Sequence, residues 1–459
     1  MEKKYNKQIN DITITIIGGG LSGISAAVKL VQKGFKVILI EKRPYLGGRT
    51  FSFTDNYSND EVDNGQHLFM GCFKNYIQLL KSLSVHDKVY SQKSLKTEII
   101  SKGKIGILKS TPYLGKFHMI PTLLKYPHLN FTDKIRTIYG MIKADFVSLN
   151  NNNTTKLDNI TFESWLKKNY QNKNTIKNIW NLIILPTLND NISNVSAYMG
   201  LMVIKNSILA KPKESILGFS KIGLSNLLDI PAQDFIRQHK GEVILNQSVK
   251  SLIFNENKLD NIKLTKNTII KSDAYIFAIP FNELISLLPK NIFSKPSINK
   301  ISKLSFSPII AIHLWFDKII MEQEFLALLE SPIQWVFNRN KIEGKSYIQN
   351  QHLCISISGA SSLIKLSKNE LIKLSLEEIK KYFPKAKSSK LIQSIVIKNP
   401  NATLQHFPRS YSYRPKNKTN IENLFLAGDW TQTGWPSTME GAVKSGIDST
   451  SDLMKYLAK

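Results

Sequence analysis

The sequence of 459 residues is poor in cysteine, and it has no long apolar run. Its two cysteines, Cys72 and Cys354, exclude a disulfide framework and any CxxC metal or redox motif. No apolar stretch approaches the roughly 18–20 residues that cross a bilayer as a helix. The GxSxG, HExxH, Walker A and EF-hand signatures are absent, and the eight histidines lack metal-ligand spacing. No metal site is therefore predicted, and any demanding chemistry has to come from an organic cofactor.

Acidic residues are also scarce: 35 Asp and Glu stand against 62 Lys and Arg, which gives a formal net charge of +27. Only seven of the basic residues are arginine, and none forms a block with aromatic residues as in nucleic-acid-binding proteins. Nucleic acid is therefore not predicted as a partner. The lysine excess is typical of compositional drift on a solvated face, with attraction to anionic lipid as the alternative. We expect a cytoplasmic protein, either free or at the inner face of the membrane.

The first motif that carries chemistry lies near the start of the chain. A β-branched run, Ile12–Ile17, ends in Gly18-Gly19-Gly20-Leu21-Ser22-Gly23, and a helical pattern, a second apolar run and Glu41 follow. In this context GxGxxG binds the pyrophosphate of a dinucleotide at a helix N-terminus. An acid at the end of the second strand accepts both ribose hydroxyls and disfavours a 2′-phosphate. The residues assigned to this end of the cofactor are Gly18, Gly20, Leu21, Ser22, Gly23, Glu41 and Lys42.

Two further motifs indicate that the dinucleotide is FAD. Gly47-Gly48-Arg49-Thr50 follows the ribose-binding acid, and a flexible backbone followed by a cation suits the far half of a long dinucleotide. Near the other end, Gly428-Asp429-Trp430 follows a predicted strand, and its carboxylate can accept from ribityl hydroxyls. Ser437 and Glu440 have the spacing of a capping box, which would aim a helix N-terminus at the flavin. The further residues assigned to the cofactor are Gly48, Arg49, Gly65, Val249, Gly428, Asp429, Met439, Glu440 and Ala442.

The stretch Asp63-Asn64-Gly65-Gln66-His67 is the candidate loop beside the flavin ring. The glycine would let the chain pass close to a flat ring, and Gln66 and His67 would present donors next to it. His67 is either a proton donor or substrate contact, or a satisfied structural residue. Asp63 is either a general acid or a structural hydrogen-bond acceptor. Cys72, a few residues further on, is predicted to be a small buried hydrophobic residue.

The nucleotide motifs lie towards both ends of the chain, which predicts a mixed α/β protein with a discontinuous, Rossmann-like FAD-binding domain. We assign residues 1–100, 216–295 and 400–459 to it, and residues 101–215 and 296–399 to an inserted substrate-binding domain. In the insertion, a helix is predicted over Phe131–Phe146 with Thr132 as its N-cap. The polar stretch Asn150–Thr155 is predicted to be a surface loop.

Together these motifs resemble the flavin amine oxidase and phytoene desaturase superfamily. Within it the chain is most similar to the hydroxysqualene dehydroxylases, also called squalene-associated FAD-dependent desaturases. The stretches that carry the resemblance are 62–67, 71–73, 186–189, 196–197, 223–225, 231–232, 426–431 and 434–446. It covers about residues 12–450. The implied fold is of the glutathione-reductase and amine-oxidase type.

The resemblance implies a reductive reaction on a C30 isoprenoid. Hydroxysqualene and reduced FAD would give squalene, FAD and water, in bacterial squalene and hopanoid synthesis after the upstream squalene-pathway synthases. Such a site must protonate the leaving hydroxyl and exclude water. The candidate catalytic residues are His67, Asp63, Gln66 and Asn189, of which the last two would orient the hydroxyl.

An apolar tunnel is needed for such a chain, and helices over 118–145 and 196–209 are the candidates to line it. These segments would either rest on a bilayer that holds the substrate or be ordinary core helices. The lysines that would face lipid are Lys104, Lys109, Lys116, Lys125 and Lys134.

Three other functions stay open. A carotenoid or dehydrosqualene desaturase would run the flavin in the oxidising direction. An amine oxidase would oxidise a C–N bond by taking hydride from its carbon, although no aromatic-cage pattern favours it. A prenyl chaperone of the GDP-dissociation-inhibitor type shares this architecture without being an enzyme. Glu41 and Gly428-Asp429 disfavour the chaperone, since a chaperone has no need of flavin contacts.

Overall fold

Strands and helices follow one another throughout the computed structural model, which describes residues 8–57, 59–293, 298–345 and 350–458. The strands are β1 (Thr13–Ile17), β2 (Lys36–Ile40), β3 (Ser52–Thr54), β4 (Glu61–Asp63), β5 (Leu68–Met70), β6 (Val89–Ser91), β7 (Lys96–Ser101), β8 (Lys104–Lys109), β9 (Leu217–Ser220), β10 (Glu242–Ile244), β11 (Val249–Asn255), β12 (Lys258–Leu264), β13 (Ile269–Lys271), β14 (Ala274–Phe277), β15 (Phe306–Phe316), β16 (Phe325–Leu328), β17 (Trp335–Asn338), β18 (Gln351–Ser358), β19 (Leu391–Leu404) and β20 (Leu424–Leu426).

The helices lie mainly between these strands and in one long segment between β8 and β9. They are α1 (Leu21–Val31), α2 (Lys74–Ser82), α3 (Ile120–Lys125), α4 (Phe131–Phe146), α5 (Asn151–Asp158), α6 (Phe162–Lys168), α7 (Lys173–Thr175), α8 (Asn181–Leu188), α9 (Ala197–Asn206), α10 (Pro212–Ser215), α11 (Leu224–Gln238), α12 (Phe281–Leu287), α13 (Lys290–Phe293), α14 (Arg339–Ile342), α15 (Lys368–Tyr382), α16 (Ser410–Tyr413) and α17 (Met439–Leu457). Among the described residues, no helix combines the length and the apolar character needed to span a bilayer.

A five-stranded parallel sheet joins the two ends of the chain, in the order β10-β2-β1-β14-β20. Its strands are short and buried on both faces, as is usual when helices or a second sheet cover each side. Ile14 and Ile16 point to the face that packs on α1, α11 and α17, while Ile17 and Phe277 point to the opposite face. That opposite face packs on the three-stranded sheet β11-β12-β13 and on α12. The carboxyl ends of β1, β2 and β20 therefore meet along one edge, where the glycine motifs begin.

A seven-stranded sheet forms the second layer, in the order β19-β15-β18-β17-β16-β7-β8. Neighbouring strands are antiparallel except β16 and β7, which are parallel. Ile310, Ile312 and Leu314 of β15 belong to the core beneath α15. Side chains alternate along a strand, so Ala311 and His313 face the other side. The loop that contains Asp63 lies against this second face.

The helical segment from α3 to α9 has its own core, which includes Phe162, Trp165 and Trp180. Helix α4 has the bounds predicted from the sequence, but the predicted N-cap is wrong. Asn130 caps the helix instead, because its side chain accepts from the amide of Asp133 at 2.8 Å. Thr132 lies inside the first turn.

The predicted surface loop at 150–155 is also wrong, since residues 151–158 form α5. The side chain of Asn150 accepts from the amide of Asn153 at 3.2 Å and caps this helix, and Leu157 packs on the neighbouring core. A favourable cap and one apolar anchor therefore outweigh the low helix propensity of asparagine and threonine.

The predicted mixed α/β class is confirmed by the two sheet layers and the helices around them. The domain limits drawn from the sequence stay a prediction. Residues 1–7, 58, 294–297, 346–349 and 459 of the predicted domains lie outside the described residues.

Candidate functional site

The first glycine motif forms the turn between β1 and α1. Gly18 has a φ of +105°, which a residue with a side chain rarely adopts. A Cβ on Gly23 would lie 1.9 Å from the carbonyl oxygen of Gly18, so the third glycine allows the helix to pack on the turn. No side chain caps the N-terminus of α1, where Gly20 is the N-cap residue and Leu21 and Ser22 begin the first turn. The helix thus offers backbone N–H groups and the positive end of its dipole to an anion.

The carboxylate of Glu41 lies buried at the end of β2, directly under this turn. One oxygen accepts from the amide of Gly19 at 2.6 Å, and the other accepts from the amide of Arg43 at 3.0 Å. Glu41 therefore fixes the turn as well as presenting an acceptor. Lys42 points away to Glu283, 2.7 Å distant at the surface. Val249 is buried at the start of β11.

The second glycine motif packs directly on the first. The amide of Gly47 donates to the carbonyl of Gly19 at 2.8 Å, and a Cβ on Gly48 would lie 2.9 Å from Cα of Gly20. Gly48 also has a positive φ, +61°. Two glycine-lined stretches of backbone therefore meet beside an uncapped helix N-terminus.

Arg49 connects the second motif to the last one. Its guanidinium lies 2.6 Å from the carboxylate of Asp429 and donates to the carbonyl of Ala402 at 3.0 Å. The second Asp429 oxygen accepts from the hydroxyl of Ser437. Burial opposes ionisation of Asp429, but the Arg49 cation and the Ser437 hydroxyl outweigh it and lower the pKa of this carboxyl. Residues predicted at opposite ends of the chain are thus brought together around one carboxylate.

The predicted capping box of Ser437 and Glu440 is wrong. Thr438 is the N-cap of α17, and its hydroxyl accepts from the amide of Gly441 at 3.2 Å. Ser437 is unavailable because its hydroxyl bonds Asp429. The Glu440 carboxylate turns instead to the start of α2, where it accepts from the amides of Asn75 and Tyr76 at 3.2 and 2.9 Å.

The first turn of α17 nevertheless lies at the same end of the parallel sheet as Asp429. Met439 and Ala442 are in this turn, and Gly428 precedes Asp429 after β20. The amide of Gly428 donates to the hydroxyl of Ser445 at 2.9 Å, which ties the end of β20 to α17. The role of Met439, Glu440 and Ala442 at the cofactor stays a prediction.

The loop from Asp63 to His67 is held by a buried arginine that the sequence analysis missed. The guanidinium of Arg339 lies 3.2 Å from the Asp63 carboxylate and donates to the side-chain oxygen of Gln66 at 2.8 Å. The hydroxyl of Ser52 and the amide of Leu224 donate to the other Asp63 oxygen, at 2.8 and 3.0 Å. Asp63 is therefore a well-paired acceptor.

His67 and Gly65 complete this loop. Nδ1 of the His67 ring lies 2.9 Å from the carbonyl of Gly65, and a carbonyl only accepts, so Nδ1 carries the proton. Desolvation by the surrounding protein lowers the pKa of His67, and it outweighs the Gly65 carbonyl and the Asp63 carboxylate, which act in the opposite direction. The imidazole is thus neutral at pH 7, with Nε2 as the nitrogen that exchanges a proton.

Asn189 lies on a different part of the same sheet face. It ends α8 in the left-handed conformation, and its carbonyl accepts from the hydroxyl of Ser307 on β15. Ala311, the residue near Gly65, is four positions further along that strand, roughly 13 Å away. The structure therefore places Asn189 against the start of β15, the strand whose Ala311 lies beside Gly65.

Arg414 is a second buried arginine that the sequence analysis missed. It donates to the carbonyls of Asp429 and Trp435 at 2.8 and 2.7 Å, which shapes the loop before α17, and desolvation lowers its pKa to about 10. A signal existed for both residues. In a chain whose positive charges are nearly all lysine, each arginine is a candidate for a site that needs a planar cation with several hydrogen bonds.

These groups fit FAD. Facing glycine backbones leave room beside the helix N-terminus, as a pyrophosphate requires, and Glu41 and Asp429 supply acceptors on either side of it. Asn64 lies between the motifs: its amide group donates to the carbonyl of Arg49 at 2.7 Å, while its buried side-chain oxygen has no protein partner. Phosphates, ribityl hydroxyls and a ring N–H are the ligand groups that match this set.

Comparisons with known proteins give the same cofactor. Residues 21–454 match the family of flavin-containing amine oxidoreductases. The chain is 25% identical over 449 residues to 15-cis-phytoene desaturase of Synechococcus elongatus, covering 94% of both proteins. It is 26% identical to the chloroplastic 15-cis-phytoene desaturase of Arabidopsis thaliana, covering 95% of this chain and 78% of the relative. It is 25% identical to zeta-carotene desaturase of Zea mays, covering 95% and 82%.

Solved structures share the fold at lower identity. A putrescine oxidase bound to putrescine superposes with a TM-score of 0.73 at 17% identity, covering 97% of this chain and 99% of that one. An oxidoreductase from Methanosarcina mazei gives 0.72 at 17% identity, covering 97% and 100%. Cyclohexylamine oxidase from Brevibacterium oxydans gives 0.70 at 16% identity, covering 98% and 100%.

Proposed function

The chain belongs to the flavin-containing amine oxidoreductases and uses FAD, and from this premise we propose that it removes the hydroxyl group of hydroxysqualene to give squalene. The relatives named above are desaturases of long isoprenoids, which supports an isoprenoid substrate. The subfamily motifs at 62–67 and 426–431 support the C30 alcohol. In the balanced reaction, hydroxysqualene and reduced FAD give squalene, oxidised FAD and water, and the carbon that loses oxygen is reduced.

The observation that carries this proposal is the state of His67. An alcohol leaves as water only after its oxygen is protonated, so the site needs a residue that gives up a proton readily. With Nδ1 fixed on Gly65, Nε2 is the nitrogen that accepts and releases the proton. Because the ring is neutral at pH 7, Nε2 first has to take up a proton, and the lowered pKa then makes the protonated imidazole a stronger acid than an exposed histidine.

Asp63 and Gln66 act in this proposal as positioning residues. The Asp63 carboxylate is paired with Arg339 and accepts from Ser52 and Leu224, so both of its oxygens are engaged in holding the loop. The side-chain amide of Gln66 donates to the carbonyl of His67 at 3.2 Å, and its oxygen is held by Arg339. Asn189 is proposed to hold the substrate further along the sheet face.

FAD in its reduced form supplies the hydride when it is bound. Gly20, Glu41, Gly48, Arg49 and Asp429 are proposed to hold it, in a domain formed by residues 1–100, 216–295 and 400–459. Residues 101–215 and 296–399 are proposed to surround the isoprenoid and to exclude water from the ring.

The decisive experiment is an anaerobic incubation of the FAD-loaded protein with hydroxysqualene and chemically reduced FAD, followed by gas chromatography and mass spectrometry. We expect squalene that requires both protein and reduced flavin. The His67→Gln variant should retain FAD and lose roughly 10²–10⁴-fold in turnover. The matched control is His239→Gln, at an exposed position on α11's C-terminal side. Unchanged alcohol in the presence of bound, reduced FAD would refute dehydroxylation.

Desaturation is the second candidate, because the relatives reported above are phytoene and zeta-carotene desaturases. In that reaction bound oxidised FAD would supply the hydride acceptor, and a side chain of the site would take the proton. The same assay with oxidised FAD and phytoene or dehydrosqualene tests it. A product with one additional double bond, together with no squalene from the alcohol, would favour desaturation.

A further inference from the structure

The exposed side of α4 is apolar, which is unusual for a surface helix. Phe131, Ile135, Tyr139, Ile142 and Phe146 recur every three or four residues and therefore share one helical face. All five are exposed, with 75% of Phe131 and 81% of Phe146 accessible to solvent. The residues buried beneath the helix are Asp133, Thr137, Gly140, Met141 and Ala144, of which two are polar. A helix that faces only water normally has the reverse distribution.

Neighbouring segments extend this surface. Pro112–Phe117 adds Tyr113, Leu114 and Phe117, α3 adds Leu124, and β8 adds Ile105 and Ile107. Tyr113 is 96% exposed. We call these residues and the five on α4 the apolar face. They make up eleven of the 21 large apolar side chains that are exposed among the described residues.

Contacts between the segments make the apolar face continuous. Lys134 on α4 donates to the carbonyl of Leu124 at 2.7 Å, and Lys116 pairs with Asp145 near the end of α4. Thr122 on α3 accepts from the amide of Lys109 at 3.0 Å. A narrow groove lined by Phe117, Met119, Ile138, Met141 and Ile142 opens between these segments.

The charge around the apolar face is positive. Residues 101–150 contain seven lysines and one arginine against two acids. Of the acids, Asp133 is buried and Asp145 is paired with Lys116. The lysines Lys104, Lys109, Lys116, Lys125 and Lys143 are exposed. An anionic surface complements this rim, and lysine stems can lie along apolar surface while their ammonium groups reach headgroups.

We propose that the apolar face docks on the surface of an anionic lipid bilayer, with α4 lying in the plane of the headgroups and its aromatic ends inserted. An amphipathic helix with apolar residues on one side and lysines beside them binds membranes in this way. A second copy of the chain fits less well, because a two-fold contact through this face would bring lysines against lysines. This inference concerns an interaction surface and holds whichever isoprenoid reaction the site performs.

The test is co-sedimentation of the FAD-loaded chain with vesicles of phosphatidylcholine alone or mixed with phosphatidylglycerol. We expect binding to the anionic vesicles that weakens with added salt. The double variant Phe131→Ser, Phe146→Ser should bind at least roughly tenfold more weakly, because each ring loses its burial in lipid. A variant with Glu at Lys104, Lys109, Lys116 and Lys125 should lose the preference for anionic vesicles. The matched control is Ile253→Ser, Ile269→Ser, which changes exposed apolar residues on β11 and β13.

A fluorescence measurement on a labelled chain tests the same proposal without relying on a loss of binding in substituted variants. Phe146→Cys is labelled with a polarity-sensitive fluorophore, and Ile269→Cys serves as the control. The native Cys72 and Cys354 are both buried, and burial raises the pKa of each thiol to about 12, so the label goes to the new cysteine. We expect a blue shift on anionic vesicles for the label at 146 alone. The proposal would be overturned if the label at 146 showed no shift, or if the double variant and the unchanged chain sedimented equally with vesicles. It would also be overturned if the double variant changed only the self-association of the chain.

Discussion

The guanidinium of Arg339 lies 3.2 Å from the carboxylate of Asp63, and each of the two side chains is only 3% exposed. The same guanidinium donates to the side-chain oxygen of Gln66 at 2.8 Å and to Glu343 at 2.9 and 3.1 Å. One buried cation therefore joins the loop beside the candidate flavin position to α14, next to the seven-stranded sheet. The register of that loop depends on a residue more than 270 positions away in the sequence.

Removing this cation should cost far more than removing an exposed one. In Arg339→Met, the Asp63 carboxylate stays in the interior without the cation that pairs with it, and such a change costs about 3–5 kcal/mol. We expect that loss in the free energy of unfolding, measured with urea. Lys345→Met is the control, because Lys345 also pairs with Glu343 but is half-exposed, and an exposed pair contributes at most about 1 kcal/mol. Equal losses in the two variants would contradict the role given to Arg339.

Two alanine substitutions in the first glycine motif should separate folding from cofactor binding. A Cβ on Gly23 would lie 1.9 Å from the Gly18 carbonyl, so Gly23→Ala should lower the unfolding midpoint. A Cβ on Gly20 would meet nothing closer than Cα of Gly48 at 4.0 Å, and the φ of Gly20 is −74°, which suits any residue. Gly20→Ala should therefore fold normally as the apoprotein.

Gly20→Ala should nevertheless lose FAD, because the added methyl group occupies the space through which a pyrophosphate approaches the helix N-terminus. Flavin absorbance after gel filtration gives the bound fraction, and thermal unfolding of the apoprotein gives the stability. If Gly20→Ala retained a full complement of FAD, the pyrophosphate would have to lie elsewhere.

Local sequence signals were sufficient for the first glycine turn and for the strands and helix that flank it. A glycine turn between two β-branched runs specifies its own geometry, and the observed β1, α1 and β2 agree with the predicted unit to within a few residues. The helical spacing of apolar residues likewise predicted α4 with its observed bounds. Its cap was missed because Asn130 and Thr132 are both good N-cap types, and only the backbone conformation distinguishes them.

Long-range contacts could not be predicted in the same way. Ser437 and Glu440 have the spacing of a capping box. However, the hydroxyl of Ser437 donates to Asp429, and the carboxylate of Glu440 accepts from the backbone at the start of α2. Arg339 follows β17, and it reaches Asp63 because the loop lies against the sheet that contains β15 and β17. The spacing of residues along the chain does not predict these contacts, because they depend on how separate sheets pack against each other.

The Glu41 carboxylate should be needed for tight FAD binding, whereas the neighbouring Lys42 at the surface should not be needed. Glu41→Gln removes the charge that is proposed to accept ribose hydroxyls, and it weakens the bonds to the amides of Gly19 and Arg43. A charged hydrogen bond is worth roughly 1.5–3 kcal/mol, so we expect the Kd for FAD to rise by about one to two orders of magnitude. Lys42→Ala removes only a surface pair with Glu283 and should leave the Kd within about twofold. Isothermal titration of apoprotein with FAD measures both, and similar affinities in the two variants would remove Glu41 from the binding site.

Three buried histidines should make the fold sensitive to mild acid. Burial lowers the pKa of His313 and of His406 to about 3, and the pKa of His352 falls well below its usual value for the same reason. These rings stay neutral in the folded protein but take up protons in the unfolded chain below about pH 6.5. Their contribution to stability is therefore full above pH 6.5 and is lost as the pH falls towards 3. The raised pKa values of Glu440 and Asp158 act in the opposite direction at acidic pH, so a variant is needed to isolate one histidine.

His406→Gln provides that comparison. Nε2 of His406 accepts from the amide of Ser437 at 3.0 Å, and the side-chain oxygen of glutamine can accept in its place without taking up a proton. The free energy of unfolding, measured with urea between pH 7.5 and 5, should fall less steeply for the variant. The difference in slope should approach one proton, or about 1.4 kcal/mol per pH unit below the unfolded pKa. Parallel curves for the two proteins would mean that His406 titrates alike in the folded and unfolded chains. The ring would then be accessible to water, which would contradict the burial of His406 in the segment between β19 and α17.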